Sequence, residues 1–148
     1  MTVSSLPRPV VLLGLSGLAP QALCLLLASD GGAYRWFALA AGCTYAAIIL
    51  SFLGGLWWMA GLLSGLRKGW VYGLSVMPSL IGWAALLPWC VGWRWPGPSL
   101  VVLGLTLLAS PLVDLVLGRH LPLPAGWLKL RCQMADGLGF MTLLMAVA

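Results

Sequence analysis

Charged residues are scarce in this sequence, and their scarcity decides its structural class. They make up 7% of the 148 residues, and the acidic ones are three aspartates, whereas 61% of the residues are hydrophobic. A small soluble domain buries only about 60% of the surface that its unfolded chain exposes, so it would leave much apolar surface in water. The composition therefore excludes a soluble domain and predicts one transmembrane domain over residues 1–148, with the lipid bilayer as its partner.

Histidine is nearly absent as well, and the cysteines are dispersed. His120 is the only histidine, so the chain cannot supply two axial ligands to a haem. The cysteines fall in or beside four different apolar runs, with no CxxC pair and no zinc-ligand spacing: Cys24, Cys43, Cys90 and Cys132. We therefore expect no metal and no cofactor. Because no nucleophile–base pair or phosphate loop can be assembled either, the sequence disfavours an enzyme without excluding one.

What the sequence does contain is five long apolar runs, which predict an all-α, polytopic bundle of about five transmembrane helices. The runs cover residues 9–28, 36–63, 70–91, 98–117 and 132–148. About 20 helical residues cross a hydrocarbon core about 30 Å thick. In the long second run, Trp36 and Trp57 are spaced to mark the two interfaces. The first run is long for a signal peptide, the alternative interpretation, which favours a retained span.

The basic residues predict the orientation. Six of them fall on the N-terminal side of the membrane and two on the other side. The first group is Arg8, Arg67, Lys68, Arg119, Lys129 and Arg131, and the second is Arg35 and Arg94. The positive-inside rule then places the N-terminus in the cytoplasm. Because these residues separate apolar runs instead of forming a basic stripe, the net charge of +5 does not indicate a nucleic-acid partner.

Several polar residues interrupt the predicted spans at intermediate depth. Polar groups in hydrocarbon are costly unless they face protein or water, so the functional hypothesis is a polar column open toward the cytoplasm. The candidate members are Gln21, Tyr45, Ser79, Trp83, Thr106 and Ser110. The alternative is that the hydroxyl groups donate to carbonyl oxygens of their own or a neighbouring helix, as is common in membrane helices.

Two aspartates form the second candidate site. Asp114 and Asp136 are predicted at similar depths near the cytoplasmic ends of spans four and five. A carboxylate at that depth needs a partner, and the nearby candidates are Arg119, His120 and Arg131. The pair is either a structural ion pair or a group that handles protons or cations.

Small residues in the second span indicate close helix packing. We expect the segment with Ser51, Gly54 and Gly55 to lie against another helix, because small side chains permit close backbone approach. Prolines at positions 20, 78 and 111 fall inside spans one, three and four, where each removes a backbone hydrogen bond.

Along nearly its whole length the sequence resembles the small bacterial and mitochondrial membrane proteins grouped as domain of unknown function 3429, the family of mitochondrial transmembrane protein 69. The most specific part is the stretch Ile49 to Gly55 with Tyr45 and Trp58. Further matching residues are Gly14, Gly17, Pro20, Ser75 to Pro78, Trp83, Asp114, Pro124, Trp127, Leu130 and Arg131. Many members have a histidine before the span-two tryptophan, where this sequence has Trp57. The resemblance implies a multi-span inner-membrane protein without an assigned activity.

Two functions stay open from the sequence. One is an accessory or assembly subunit of a larger membrane complex, with other membrane-protein subunits or further copies of the chain as partners. The other is a transporter or binding protein for a small molecule or protons that uses the polar column. An inner (cytoplasmic) bacterial membrane is the expected location, and the mitochondrial inner membrane is the alternative.

Overall fold

A computed structural model describes residues 6–92, 96–120 and 123–148. That part of the chain is helical and has no strand. The helices are α1 (Arg8–Ser16), α2 (Ala19–Ser29), α3 (Arg35–Leu63), α4 (Gly69–Cys90), α5 (Gly97–Gly118) and α6 (Trp127–Met145). Arg94, which the orientation prediction uses, lies outside the described residues.

The first predicted span is two short helices in line. The helix stops at Ser16 and restarts at Ala19, because the ring of Pro20 clashes with the carbonyl four residues earlier and its nitrogen carries no proton. Proline is well tolerated in the first turn of the helix that follows. The hydroxyl of Tyr45 on α3 donates to the carbonyl oxygen of Gly17 at 2.6 Å, which satisfies an acceptor exposed at the break. Pro78 and Pro111, in contrast, lie inside the continuous helices α4 and α5.

Four segments of the described chain are long and apolar enough to cross a membrane: the α1–α2 unit, α3, α4 and α5. The fifth predicted span corresponds to α6, which carries Lys129, Arg131 and Asp136 and is therefore more polar. It begins at Trp127, several residues before the apolar run itself. Its 19 residues extend about 28 Å, close to the thickness of a hydrocarbon core.

Contacts between helix ends show how the helices alternate in direction. Trp70 at the start of α4 stacks edge-on against His120, just after α5, with ring centroids 5.8 Å apart. At the opposite end, Arg35 at the start of α3 donates to the carbonyl oxygen of Ala148, just after α6, at 2.9 Å. The C-terminal ends of α3 and α5 therefore lie at the same end of the bundle as the N-terminal ends of α4 and α6.

Helix α3 is central to the bundle. It contacts α2, α4, α5 and α6, and it contributes many of the buried residues of the core. At Gly54 a side-chain carbon would collide with the carbonyl oxygen of Ser75 on α4, so only glycine permits this approach. Further along, the backbone of Ala47 lies 3.1 Å from the position that a side chain at Gly82 would occupy.

Within the described chain, Ser51 and Gly55 do not share the close packing of Gly54. Ser51 and Gly55 are exposed, and a side chain added at Gly55 would meet nothing within 4 Å in the described chain. Consecutive helical residues point about 100° apart, so Gly54 faces α4 while Gly55 does not. The glycine pair therefore contains one packing residue.

Large apolar side chains cover the outer surface. Leu12, Leu13, Phe37 and Leu63 are each more than 65% exposed. In water such a surface would drive aggregation, whereas in a bilayer it lies against lipid tails. The exposed surface and the buried core together identify an integral membrane protein.

Candidate binding site

The centre of the candidate site is a buried ion pair between α5 and α6. Arg131 Nε donates to Asp114 Oδ2 at 2.9 Å, and both side chains are 4% exposed. The two helices run antiparallel at close range, since Gly104 and Gly139 let their backbones approach. This packing brings residues 114 and 131, on either side of the connecting loop, to the same level.

Trp57 completes the cluster from α3. Its indole Nε1 donates to Asp114 Oδ1 at 2.7 Å, and the residue is buried. Each oxygen of Asp114 therefore accepts a hydrogen bond from a different helix. Trp57 therefore faces the protein interior, and the membrane depth predicted for it stays a prediction. Its neighbour Trp58 is exposed and stacks edge-on against Tyr72.

The guanidinium of Arg131 keeps one buried donor without a partner. Nη2 is fully enclosed and donates to no acceptor among the described residues. An arginine beside a carboxylate often uses two nitrogens against two oxygens, but here Oδ1 is occupied by Trp57. Leaving a buried donor unsatisfied costs about 1–3 kcal/mol, and more when the group is charged.

An apolar cavity of about 450 Å³ adjoins this cluster. Trp57, Asp114 and Arg131 all line it. The remaining lining residues come from the end of α3, the end of α5, the loop before α6 and the start of α6: Leu56, Met59, Ala60, Leu63, Ser64, Leu117, Leu123, Pro124 and Trp127. Its size and its mostly apolar walls with a few polar groups are typical of small-molecule sites.

A second groove lies on the other side of the same loop. It measures about 720 Å³ and is lined by the basic residues Arg119 and Lys129, both exposed. Asp114, Leu123 and Pro124 line both spaces, so they form the wall between them. The apolar cavity and the basic groove are thus neighbours at one end of the bundle.

The structure separates the other predicted members of the ion-pair site from this cluster. Asp136 is exposed, because it lies five positions after Arg131 and is therefore rotated by about 140° around α6. Arg119 is exposed in the basic groove. His120 is exposed too, with Nδ1 3.3 Å from the carbonyl oxygen of Val116. Equal depth in the membrane therefore did not make the two aspartates neighbours.

The predicted polar column is not assembled. Thr106 and Ser110 donate to the carbonyl oxygens of Val102 and Leu107 in their own helix. Trp83 is 63% exposed on the outer surface of α4. Hydroxyl groups in membrane helices satisfy themselves locally, so their spacing along the sequence does not require a shared polar path.

The other members of the proposed column share no hydrogen-bond partner among the described residues. Gln21 is fully buried and donates from Nε2 to Thr142 Oγ1 at 2.9 Å. Tyr45 donates to the break in span one, and Ser79 is half-buried on α4. Thr142, which the sequence did not single out, is the buried acceptor for Gln21 Nε2, while Gln21 Oε1 has no donor among the described residues.

The family model described as "Protein of unknown function (DUF3429)" matches residues 6–147. The chain belongs to this family. The resemblance stated from the sequence is thereby confirmed, and Trp57, Asp114 and Arg131 all lie within the matched region.

A curated relative extends the comparison to animals. Transmembrane protein 69 of Xenopus tropicalis is 38% identical over 84 residues, which is 55% of this chain and 33% of the relative. The alignment therefore spans about a third of the relative's length. No solved structure matches the chain.

Proposed function

We propose that this protein binds a small, largely apolar molecule within the membrane, in the cavity beside Trp57, Asp114 and Arg131. The unpartnered Arg131 Nη2 is the observation that carries the proposal. A buried charged donor without an acceptor is costly, and an acceptor on a bound molecule would remove that cost.

The cluster itself supports binding better than proton handling. Both oxygens of Asp114 accept hydrogen bonds at 2.7 and 2.9 Å from donors on two other helices. Such a carboxylate holds α3, α5 and α6 together and orients the guanidinium of Arg131. We therefore assign Asp114 a positioning role.

The cavity lies where α3 and α5 end and α6 begins. With the N-terminus in the cytoplasm, as the basic residues predict, that end faces the cytoplasm. We propose the inner membrane of a bacterium as the location. The mitochondrial inner membrane is the alternative, since a relative from an animal is a transmembrane protein.

One observation favours the second candidate function, an accessory or assembly subunit. Ser51 and Gly55 are small residues on an exposed face of the central helix, where nothing in the described chain packs on Gly55. Small residues at membrane-facing positions permit another helix to approach closely. Purification from native membranes in mild detergent tests this: stoichiometric partner proteins that Gly55→Leu removes would support a subunit role, and a lone chain would contradict it.

Filling the cavity tests the binding proposal. Ala60 lines the cavity, so Ala60→Leu reduces its volume, whereas Ala84→Leu adds the same atoms at an exposed position on α4. The wild type and both variants are purified from native membranes, extracted with organic solvent and compared by mass spectrometry. We expect a small molecule that the wild type and Ala84→Leu retain and Ala60→Leu loses. Identical extracts from all three proteins would refute the proposal.

A further inference from the structure

We infer that the bound molecule carries a neutral carbonyl-type oxygen on an apolar body, and that Arg131 Nη2 is the donor that recognises this oxygen. The inference rests on the proposed binding function and specifies its ligand class. It follows from three properties of the cavity: the donor it offers, its charge and its walls.

The donor determines what the ligand must supply. A guanidinium nitrogen donates hydrogen bonds and cannot accept them, so the complementary group is an acceptor. Nη2 is enclosed by protein, and the Arg131 side chain is 4% exposed. Arg131 lines the cavity, so a small rotation of its guanidinium would turn Nη2 toward an oxygen on a molecule seated there.

The charge of the cavity favours a neutral oxygen. Among its lining residues Asp114 and Arg131 are the charged ones, and they form an ion pair whose formal charges cancel. An anionic ligand would compete with Asp114 for the same guanidinium and would be repelled by that carboxylate. Arg119 and Lys129 belong to the adjoining groove and are exposed, so solvent and salt screen them.

The walls of the cavity determine the chemistry of the rest of the ligand. Leucine, methionine and alanine make up six of the twelve residues that line the cavity, and the indoles of Trp57 and Trp127 provide flat aromatic surface. Aromatic side chains accept either a planar ring or an alkyl chain against their faces. Two kinds of membrane molecule share this chemistry, a quinone and an acyl ester, and each presents a neutral carbonyl oxygen next to apolar carbon.

Four probes of similar size separate the possibilities when titrated into the protein in lipid nanodiscs by calorimetry. The probes are decyl-benzoquinone, methyl dodecanoate, dodecanoate and decylbenzene, which differ in carbonyl type, charge and the presence of an acceptor. They are titrated against the wild type, Arg131→Lys and Ala60→Leu. Lysine keeps a positive charge for Asp114 but removes the planar second nitrogen. Arg119→Lys, the same change at an exposed residue of the groove, is the control.

We expect at least one neutral carbonyl probe to bind the wild type and Arg119→Lys equally, and to bind Arg131→Lys at least tenfold more weakly. Whichever of the quinone and the ester binds more tightly identifies the class of molecule that supplies the carbonyl oxygen. Decylbenzene should bind more weakly than either and be insensitive to Arg131→Lys.

The opposite outcomes separate this inference from the proposed function. If decylbenzene and the carbonyl probes bind alike, with Ala60→Leu weakening all of them and Arg131→Lys none, the cavity binds ligands but the carbonyl assignment is wrong. Tighter binding of dodecanoate than of its methyl ester would also overturn the neutral class. If Ala60→Leu changes the binding of no probe, the proposed binding function itself is refuted.

Discussion

At the scale of single residues, Asp114 is the group on which the site depends. It accepts hydrogen bonds from Trp57 and Arg131, so it links α3 and α6 to α5 through one side chain. A buried ion pair contributes little net stability compared with a well-packed apolar pair, but removing one partner leaves an uncompensated charge. Removing the charge of Asp114 should therefore cost more stability than removing the neutral donor of Trp57.

Asp114→Asn should strongly destabilise the protein. Asparagine preserves the shape of the side chain but leaves the buried Arg131 guanidinium without a counter-charge, which costs about 3–5 kcal/mol. Thermal unfolding in detergent measures the effect. Asp136→Asn, on an exposed face of α6, is the matched control and should change the free energy of unfolding by less than about 0.5 kcal/mol. Equal effects of the two substitutions would mean that the ion pair does not support the fold.

Trp57→Phe should weaken the fold less than Asp114→Asn does. Phenylalanine keeps most of the apolar surface but removes the donor to Asp114 Oδ1, and a hydrogen bond to a charged group contributes about 1.5–3 kcal/mol. Trp58→Phe is the control, because Trp58 is 42% exposed on the adjacent face of α3. If Trp58→Phe lowers the thermal stability as much as Trp57→Phe, the indole hydrogen bond is not the cause.

At the scale of helices, close packing is concentrated at particular glycines. Gly54 lies against the backbone of Ser75 on α4, and Gly104 and Gly139 lie against each other's backbones between α5 and α6. Backbone atoms cannot move aside for an added side-chain carbon in the way that the end of a flexible side chain can. These contacts therefore hold the helices of the site at a fixed distance.

Gly54→Ala should lower the free energy of unfolding, whereas Gly55→Ala should leave it unchanged or raise it. At Gly54 the added carbon collides with the Ser75 carbonyl oxygen, so we expect a loss of about 1–3 kcal/mol from overpacking. At Gly55 the added carbon meets open space, and alanine is the better helix former by about 1 kcal/mol, so stability should be unchanged or higher. Thermal unfolding of the two variants in the same detergent provides the comparison, and a loss at Gly55 alone would contradict the packing described here.

At the scale of the whole molecule, the orientation in the membrane stays a prediction that can be measured. Five crossings with the N-terminus in the cytoplasm place the loop between α3 and α4 inside and the C-terminal end of α6 outside. A phosphatase that is active only in the periplasm should therefore be active when fused after Ala148 and inactive when fused at Arg67. Activity at Arg67 together with none at Ala148 would show the inverted orientation.

The sequence by itself determined the class of this molecule and most of its helices. Apolar runs of about 20 residues, cut by basic residues and glycine-rich turns, require helices because backbone groups in lipid must be satisfied within one segment. The break at Pro20 and the early start of α6 at Trp127 changed the bounds without changing this class. The family was also evident, because Ile49 to Gly55 is a continuous stretch that needs no structure to be compared.

The tertiary structure alone decided which polar residues meet. Depth along a helix can be counted from the sequence, but the direction in which a side chain faces depends on how each helix rotates against its neighbours. This rotation placed Asp114 against Arg131 and turned Asp136 outward, and it buried Trp57 while Trp58 stayed exposed. A tryptophan at a helix end is equally suited to an interface or to a buried carboxylate, since its ring is apolar and its N–H needs an acceptor. Only the packing of α3 on α5 and α6 supplied that acceptor, placed Arg131 on the wall of a cavity and left its Nη2 without a partner among the described residues.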